Sequence, residues 1–194
     1  GALVQNNVKR LLAYSSIAHA GYLLVAFAAA KTTGISAAIF YAASYAAMNV
    51  GAFAIVAHLS GRGERYVTLE DYAGLGRRSP LIAAMLTIFL ISLIGIPMTG
   101  GFFAKFYVFS AALQSNLVGL TIIGVINSVI ATYYYLRVIV YMYMRDERIE
   151  APVMPLPAGF TAAIAISLIA TIYLGVLPNR VLDDAVRAAQ DLVK

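Results

Sequence analysis

Residues 81–112 read LIAAMLTIFLISLIGIPMTGGFFAKFYVFSAA, one long apolar run interrupted at its centre by Gly95-Ile96-Pro97-Met98-Thr99-Gly100-Gly101. A helix needs about 20 apolar residues to cross a hydrocarbon core, and this run exceeds that. Pro97 removes a backbone donor, and Gly95, Gly100 and Gly101 loosen the chain around it, so carbonyls are freed in mid-span. Lys105 follows the break and is the only charge in the run. An isolated ammonium in hydrocarbon costs at least about 2.5–3.5 kcal/mol, so Lys105 is expected to face a bundle interior or a water-filled cavity. A discontinuous helix with a charge beside the gap is the pattern of an ion site in a transporter.

The rest of the composition agrees. Of the 194 residues, 61% are hydrophobic and 12% charged, and the mean hydropathy is +0.82. A soluble domain is nearer half apolar and a quarter charged, so the chain is expected to be an all-α, polytopic membrane bundle. With no cysteine, disulfides, thiol catalysis and Cys-ligated clusters are excluded. Only His19 and His58 are present, too few for a histidine-rich metal site. The net charge of +5 sits mostly in connections and reads as topology, not as a nucleic-acid surface. The opening GALVQNNVKR has neither an initiator Met nor a signal-peptide pattern, and it reads as a turn after an earlier helix. The chain is therefore expected to be the carboxy-terminal part of a longer protein.

About five spans are expected. Leu11 to Ala30 is the first, entered past Lys9 and Arg10 and closed by Lys31. On a period of 3.6, its Ser15, His19 and Tyr22 share a face. His19 lies about 15 Å along the helix from Lys9, near mid-membrane. It is either part of a polar seam against a neighbour or a proton relay, since imidazole titrates near pH 6.5 in water. The second span, Ala37 to Leu59, is Ala-rich and carries Gly51, which permits close helix approach. Tyr41, Tyr45 and Asn49 form a polar stripe on it, suited to orienting water or bonding across helices, with Asn49 read as packing glue. A polar loop from Ser60 to Pro80 precedes the broken span. Leu117 to Met144 is the fourth span, with Asn127 and Ser128 in its middle and Tyr133, Tyr134, Tyr135, Tyr141 and Tyr143 near its end. These tyrosines read as an aromatic belt, and Arg137 as a side chain that snorkels to the interface. Pro152, Pro155 and Pro157 stiffen the approach to a fifth span, Ala158 to Leu177, which has no ionisable group. The transmembrane unit thus covers residues 1–178, and residues 179–194 form an amphipathic tail suited to the membrane surface or a neighbour.

Positive charge is uneven. Lys9, Arg10, the arginines of the 60–80 loop, Arg145 and Arg148 collect on one face, against Lys31, Arg180, Arg187 and Lys194 on the other. The positive-inside rule puts the first face in the cytoplasm and the carboxy terminus on the outer face, with Lys105 in the outer half of its helix.

Three segments resemble one known family. Residues 7–19, NVKRLLAYSSIAH, resemble the (D/N)-hydrophobic-KR-x-x-AYSS signature of antiporter-like membrane subunits. These occur in proton-pumping NADH:quinone oxidoreductase (respiratory complex I) and in multisubunit sodium/proton antiporters. Residues 93–107, LIGIPMTGGFFAKFY, resemble that family's broken late helix with its lysine, and Tyr133-Tyr134-Tyr135-Leu136-Arg137 resembles the YYYLR of its N-type subunits. The resemblance implies proton translocation driven by quinone reduction elsewhere in a complex, within a bacterial inner membrane. Lys105 would end a lysine/histidine chain across mid-membrane, and His19 would be a relay residue. Lys9, Ser15, Tyr41, Tyr45 and Asn49 would support them. It also implies that these are the last five of fourteen helices, and that the family's Glu/Lys pair lies in earlier ones. The larger members carry His, His and Lys where this chain has Tyr41, Tyr45 and Asn49, which leaves the link from His19 to Lys105 to Tyr, Ser and water. The chain itself is expected to hold no cofactor or metal, while its complex would carry FMN, iron–sulfur clusters and quinone. Its partners would be other membrane subunits, the lipid bilayer and protons. A sodium/proton antiporter subunit remains an alternative. So does a structural scaffold in which Lys105 merely pairs with a neighbour's carboxylate.

Overall fold

The computed structural model describes residues 1–29, 32–61, 63–64, 66–147 and 155–193. Ala30, Lys31, Arg62, Arg65, Arg148, Glu150, Pro152 and Lys194 lie outside the described residues, together with the parts of the first span's end and of the charge count that rest on them. Eight α-helices are formed among the described residues: α1 Val8–Ala28, α2 Thr32–Ser60, α3 Leu75–Arg78, α4 Pro80–Ile94, α5 Gly100–Gln114, α6 Val118–Met144, α7 Ala158–Val176 and α8 Pro178–Val193. Four of them, α1, α2, α6 and α7, are each long and apolar enough to cross a membrane. The third expected span, the interrupted one, is present as two half-helices, α4 and α5.

Local chemistry sets the helix ends. Asn7 caps α1, its side chain accepting from the Arg10 backbone N–H at 3.0 Å. Pro80 opens α4, where its missing donor costs nothing, and Gly95 closes it in the left-handed region at φ +91°. Met98 is also left-handed, at φ +70°, an unfavourable conformation for a side chain with a Cβ. The break therefore holds real backbone strain.

The bundle is organised around α2, which packs against α1, α4, α5, α7 and α8. Its buried Ala37, Ala38 and Ala52 keep those approaches close. Two apolar clusters fill the interior. One joins Leu11, Leu12, Ile55, Leu86, Phe89, Tyr135 and Met142; the other joins Tyr22, Ala26, Phe40, Tyr41, Ala104 and Val108. Burial of these side chains is not what drives association in lipid; close van der Waals packing and interhelical hydrogen bonds do that.

One end of the bundle is tied by polar contacts. Val8 N–H donates to Val67 O at 2.7 Å and Leu69 N–H to Asn6 O at 2.8 Å, stitching the 61–79 connection to the start of α1. Lys9 pairs with Glu64 at 2.9 Å, and Arg78 with Glu147 at 3.3 Å. Arg137 reaches the same end, donating to Asn6 Oδ1 at 2.7 Å, as a snorkelling arginine should. Tyr133 and Tyr143 are exposed, as an aromatic belt requires, but Tyr134 and Tyr135 are buried. That corrects the expectation for those two: consecutive residues on a helix point 100° apart, so one run of tyrosines serves both lipid and core. α8 is amphipathic and lies against α2, with Ala185 and Ala189 buried and Arg180, Asp183, Asp184 and Arg187 outward.

Candidate functional site

The half-helices α4 and α5 do not meet end to end. Gly101, in the first turn of α5, packs on the last turn of α4: its N–H donates to Ser92 Oγ at 3.2 Å, and a Cβ there would overlap the Ser92 carbonyl oxygen. Gly100 faces α7 less tightly, where a Cβ would sit 3.1 Å from Leu174 Cβ and 3.3 Å from Thr171 O. Pro97 is exposed at the corner of the break. This overlap brings Lys105, one turn along α5, back over the open end of α4.

Lys105 is buried, at 6% exposure. Its ammonium donates to Leu93 O at 3.0 Å, Ile94 O at 2.8 Å and Ser128 Oγ of α6 at 2.9 Å. All three ammonium hydrogens are thus accounted for. Two of the acceptors are carbonyls that an unbroken helix would have used itself, so the break supplies the solvation that hydrocarbon denies. Gly95 contributes twice, by its left-handed backbone and by leaving room: a Cβ there would sit 3.2 Å from Lys105 Cδ. The ammonium also stands 5.4 Å from the centroid of the Tyr22 ring, within reach of a cation–π attraction.

From Tyr22 the polar contacts continue along α1. The Tyr22 hydroxyl accepts from Asn127 Nδ2 at 3.0 Å. The Tyr22 ring meets His19 edge-on at 5.7 Å and Tyr41 at 6.1 Å between centroids. His19 is 1% exposed and held at both nitrogens, Nδ1 by the Tyr41 hydroxyl at 2.6 Å and Nε2 by the Tyr135 hydroxyl at 3.2 Å. Tyr135 also bonds Ser15 Oγ. Tyr45 stacks on the His19 ring at 4.7 Å and donates to Ser16 Oγ at 2.7 Å. Lys105, Tyr22, His19, Tyr41, Tyr135 and Ser15 thus form one buried cluster across α5, α1, α2 and α6, in which hydrogen bonds link Tyr41, His19, Tyr135 and Ser15 and ring contacts link Tyr22 to His19 and Lys105. At 1.5 Å per residue, His19 lies about 16 Å from the start of α1 and Ser128 about 24 Å from the end of α6. Lys105 is therefore the deeper of the two from the end that holds Lys9.

Not every expected residue is in this cluster. Lys9 sits at the bundle end in its ion pair with Glu64, remote from Lys105, so a direct supporting role for it is not what the geometry offers. Asn49 is half-buried one turn beyond Tyr45 and takes no part in the hydrogen bonds just described. Conversely, Tyr135 is central and was read from sequence as interfacial. Its spacing from Ser128, two turns of α6, was the available signal. Among the described residues there is no group of three or more His, Asp or Glu side chains that could hold a metal ion. The two buried titratable cations, Lys105 and His19, are thus bridged by the Tyr22 ring and flanked by hydroxyls.

Comparisons with known proteins bear on this arrangement. Residues 1–131 match the family described as NADH:quinone oxidoreductase/Mrp antiporter, transmembrane. The whole chain is 74% identical over 194 residues to NADH-quinone oxidoreductase subunit N 2 of Koribacter versatilis, covering 39% of that protein. A chain of respiratory complex I from Thermus thermophilus, solved with bound aureothin, superposes with a TM-score of 0.79 at 36% identity, over 94% of this chain and 41% of that one. A chain of an archaeal membrane-bound sulfane sulfur reductase superposes with a TM-score of 0.86 at 27% identity, over all of this chain and 39% of that one. The chain spans about two-fifths of the length of the relatives it matches.

Proposed function

The chain belongs to the NADH:quinone oxidoreductase/Mrp antiporter membrane family, and on that premise we propose that it serves as part of subunit N of a proton-pumping NADH:quinone oxidoreductase. The observation that carries the reading is Lys105, buried at a helix break and joined to His19 through aromatic and hydroxyl groups. A lysine held by neutral acceptors alone has no fixed carboxylate partner among the described residues, so it is free to exchange a proton as nearby charge or water changes.

In this reading Lys105 and His19 exchange protons through the buried cluster, and the hydroxyls of Ser15, Ser128, Tyr22, Tyr41 and Tyr135 carry or orient the transfer. Quinone reduction elsewhere in the complex drives the cycle. FMN, iron–sulfur clusters and quinone belong to that complex, and this chain supplies no redox chemistry. Other membrane subunits are its partners, in a bacterial inner membrane, with the Lys9 end cytoplasmic and the carboxy terminus on the outer face. The family also includes Mrp-type antiporters, and both classes carry the lysine and the broken helix.

Gentle detergent purification of the intact parent complex, with mass spectrometry and an optical spectrum, separates these. Co-purifying flavin and iron–sulfur subunits are expected. Recovery of other polytopic membrane proteins alone, without a chromophore, would move the function to ion exchange without redox partners.

A further inference from the structure

The hydrogen bonds at His19 have a direction. A neutral imidazole carries one hydrogen, so one ring nitrogen donates and the other accepts, and the partner at one nitrogen fixes the state of the other. The Tyr41 hydroxyl is fully buried and has His19 Nδ1, at 2.6 Å, as its hydrogen-bond partner among the described residues. If Nδ1 carried the hydrogen, Tyr41 would accept it and its own hydrogen would be stranded in a dry interior. A buried donor without an acceptor is the costlier kind of orphan. Tyr41 therefore donates and Nδ1 accepts.

The rest of the chain follows. With its hydrogen on Nε2, His19 donates to Tyr135 Oη at 3.2 Å, and Tyr135 passes its own hydrogen to Ser15 Oγ. The reverse order, Ser15 to Tyr135 to Nε2 with Nδ1–H toward Tyr41, ends on the stranded Tyr41 hydrogen. Neither Tyr45, whose hydroxyl donates to Ser16, nor Tyr22, whose hydroxyl accepts from Asn127, offers His19 a competing bond. We infer that Tyr135 is a positioning residue that, together with Tyr41, holds His19 as the Nε2–H tautomer and orders the four groups as donors running from Tyr41 to Ser15.

The use of this order rests on the proton-relay reading. A proton delivered by water to Tyr41 lets Tyr41 hand its own hydrogen to Nδ1, while the Nε2 hydrogen leaves toward Tyr135, Tyr135 hands one to Ser15, and Ser15 releases one to water. One proton enters, one leaves, and the ring ends neutral as the other tautomer. Before a second proton can pass the same way, the tautomer must reset. At rest the hydrogens run from Tyr41 toward Ser15, so a proton moving outward from the Lys9 end passes only after His19 has switched to the Nδ1–H tautomer.

Nitrogen-15 solid-state NMR of histidine-labelled full-length protein, assembled in its complex and reconstituted in lipid, tests the tautomer without reference to pumping. A His19→Gln sample assigns the signals by difference. The wild type is expected to show an unprotonated Nδ1 and a protonated Nε2, with at least about a tenfold preference, the ratio that one stranded hydrogen sets. In Tyr135→Phe either tautomer strands one hydrogen, so the preference should fall to within about threefold of equal. Tyr45→Phe keeps the ring stack and should leave the preference unchanged. Protonation at Nδ1 or at both nitrogens in the wild type would overturn the inference, as would a Tyr135→Phe protein with the wild-type preference. If Tyr135→Phe does not assemble, the wild-type signals alone decide. A pump that loses function without Lys105 but carries the wrong tautomer refutes this inference and spares the functional reading; the right tautomer in a protein that pumps without Lys105 does the opposite.

Discussion

Replacing Gly101 by alanine adds a single methyl at the contact that holds the two half-helices together. The added Cβ overlaps the carbonyl oxygen of Ser92 and lies 3.2 Å from Met48 Sδ. The sulfur end of Met48 can move, but the Ser92 carbonyl belongs to α4 and cannot. Reaching an ordinary carbon–oxygen contact then requires α5 to shift from α4 by roughly 1 Å or more, with an overpacking cost of about 1–3 kcal/mol. Lys105 is one turn further along the same half-helix and travels with it. Its bonds to Leu93 O and Ile94 O, now 3.0 and 2.8 Å, would lengthen to about 4 Å, beyond hydrogen-bond range. Each bond from a charged group contributes about 1.5–3 kcal/mol, so the ammonium loses most of what makes its burial tolerable. A 1 Å misplacement of a reacting group costs up to about 100-fold in rate. In vesicles containing the assembled complex, Gly101→Ala should lower proton pumping per electron by at least about tenfold. Gly21→Ala, where an added Cβ meets nothing within 4 Å, should leave it unchanged. Wild-type pumping and assembly in Gly101→Ala would refute the idea that this contact sets the lysine.

Three further outcomes follow from the same geometry. His19→Ala should reduce pumping less than Lys105→Ala, because water can bridge the Tyr41 and Tyr135 hydroxyls across the space left by the ring; equal and complete loss in both would make His19 obligatory. Lys9→Ala removes an exposed ion pair worth at most about 1 kcal/mol and should change pumping by less than about twofold, and a large loss would return Lys9 to the path. Tyr72, on the connection outside the spans, has a buried hydroxyl with no hydrogen-bond partner among the described residues, so Tyr72→Phe should be neutral or stabilising by about 1 kcal/mol in thermal unfolding. Burial, with Asp71 adding to it, holds the Tyr72 phenol well above its ordinary value of 10. Its folded state keeps a proton that the unfolded state loses, so its contribution is intact below pH 10 and falls as pH rises above that. Tyr72→Phe should remove that alkaline slope.

The sequence alone was informative where the solvent is hydrocarbon. An apolar run broken by Pro97 and three glycines has few other meanings, and the lone Lys105 beside it had to find acceptors. The grouping of Ser15, His19 and Tyr22 on one face of α1 was likewise legible from helical spacing. What spacing cannot give is which faces of different helices meet. Tyr135 was hidden because its neighbours Tyr133 and Tyr143 do face outward, and a run of tyrosines near a helix end has a ready interfacial explanation. Asn49 continues the stripe of Tyr41 and Tyr45 in sequence, yet it is only half-buried and outside the hydrogen bonds that join those tyrosines to α1. The source of the lysine's acceptors was visible only in outline: the break was predicted to free carbonyls, but the overlap of α5 on α4 through Gly101 is a tertiary fact.

The central claim is that Lys105 carries protons. Proton uptake per electron should be measured in vesicles containing the full complex with Lys105→Ala, alongside quinone reduction and subunit content. The account predicts an assembled complex whose pumping per electron falls well below wild type. Undiminished pumping in an assembled Lys105→Ala complex would contradict it.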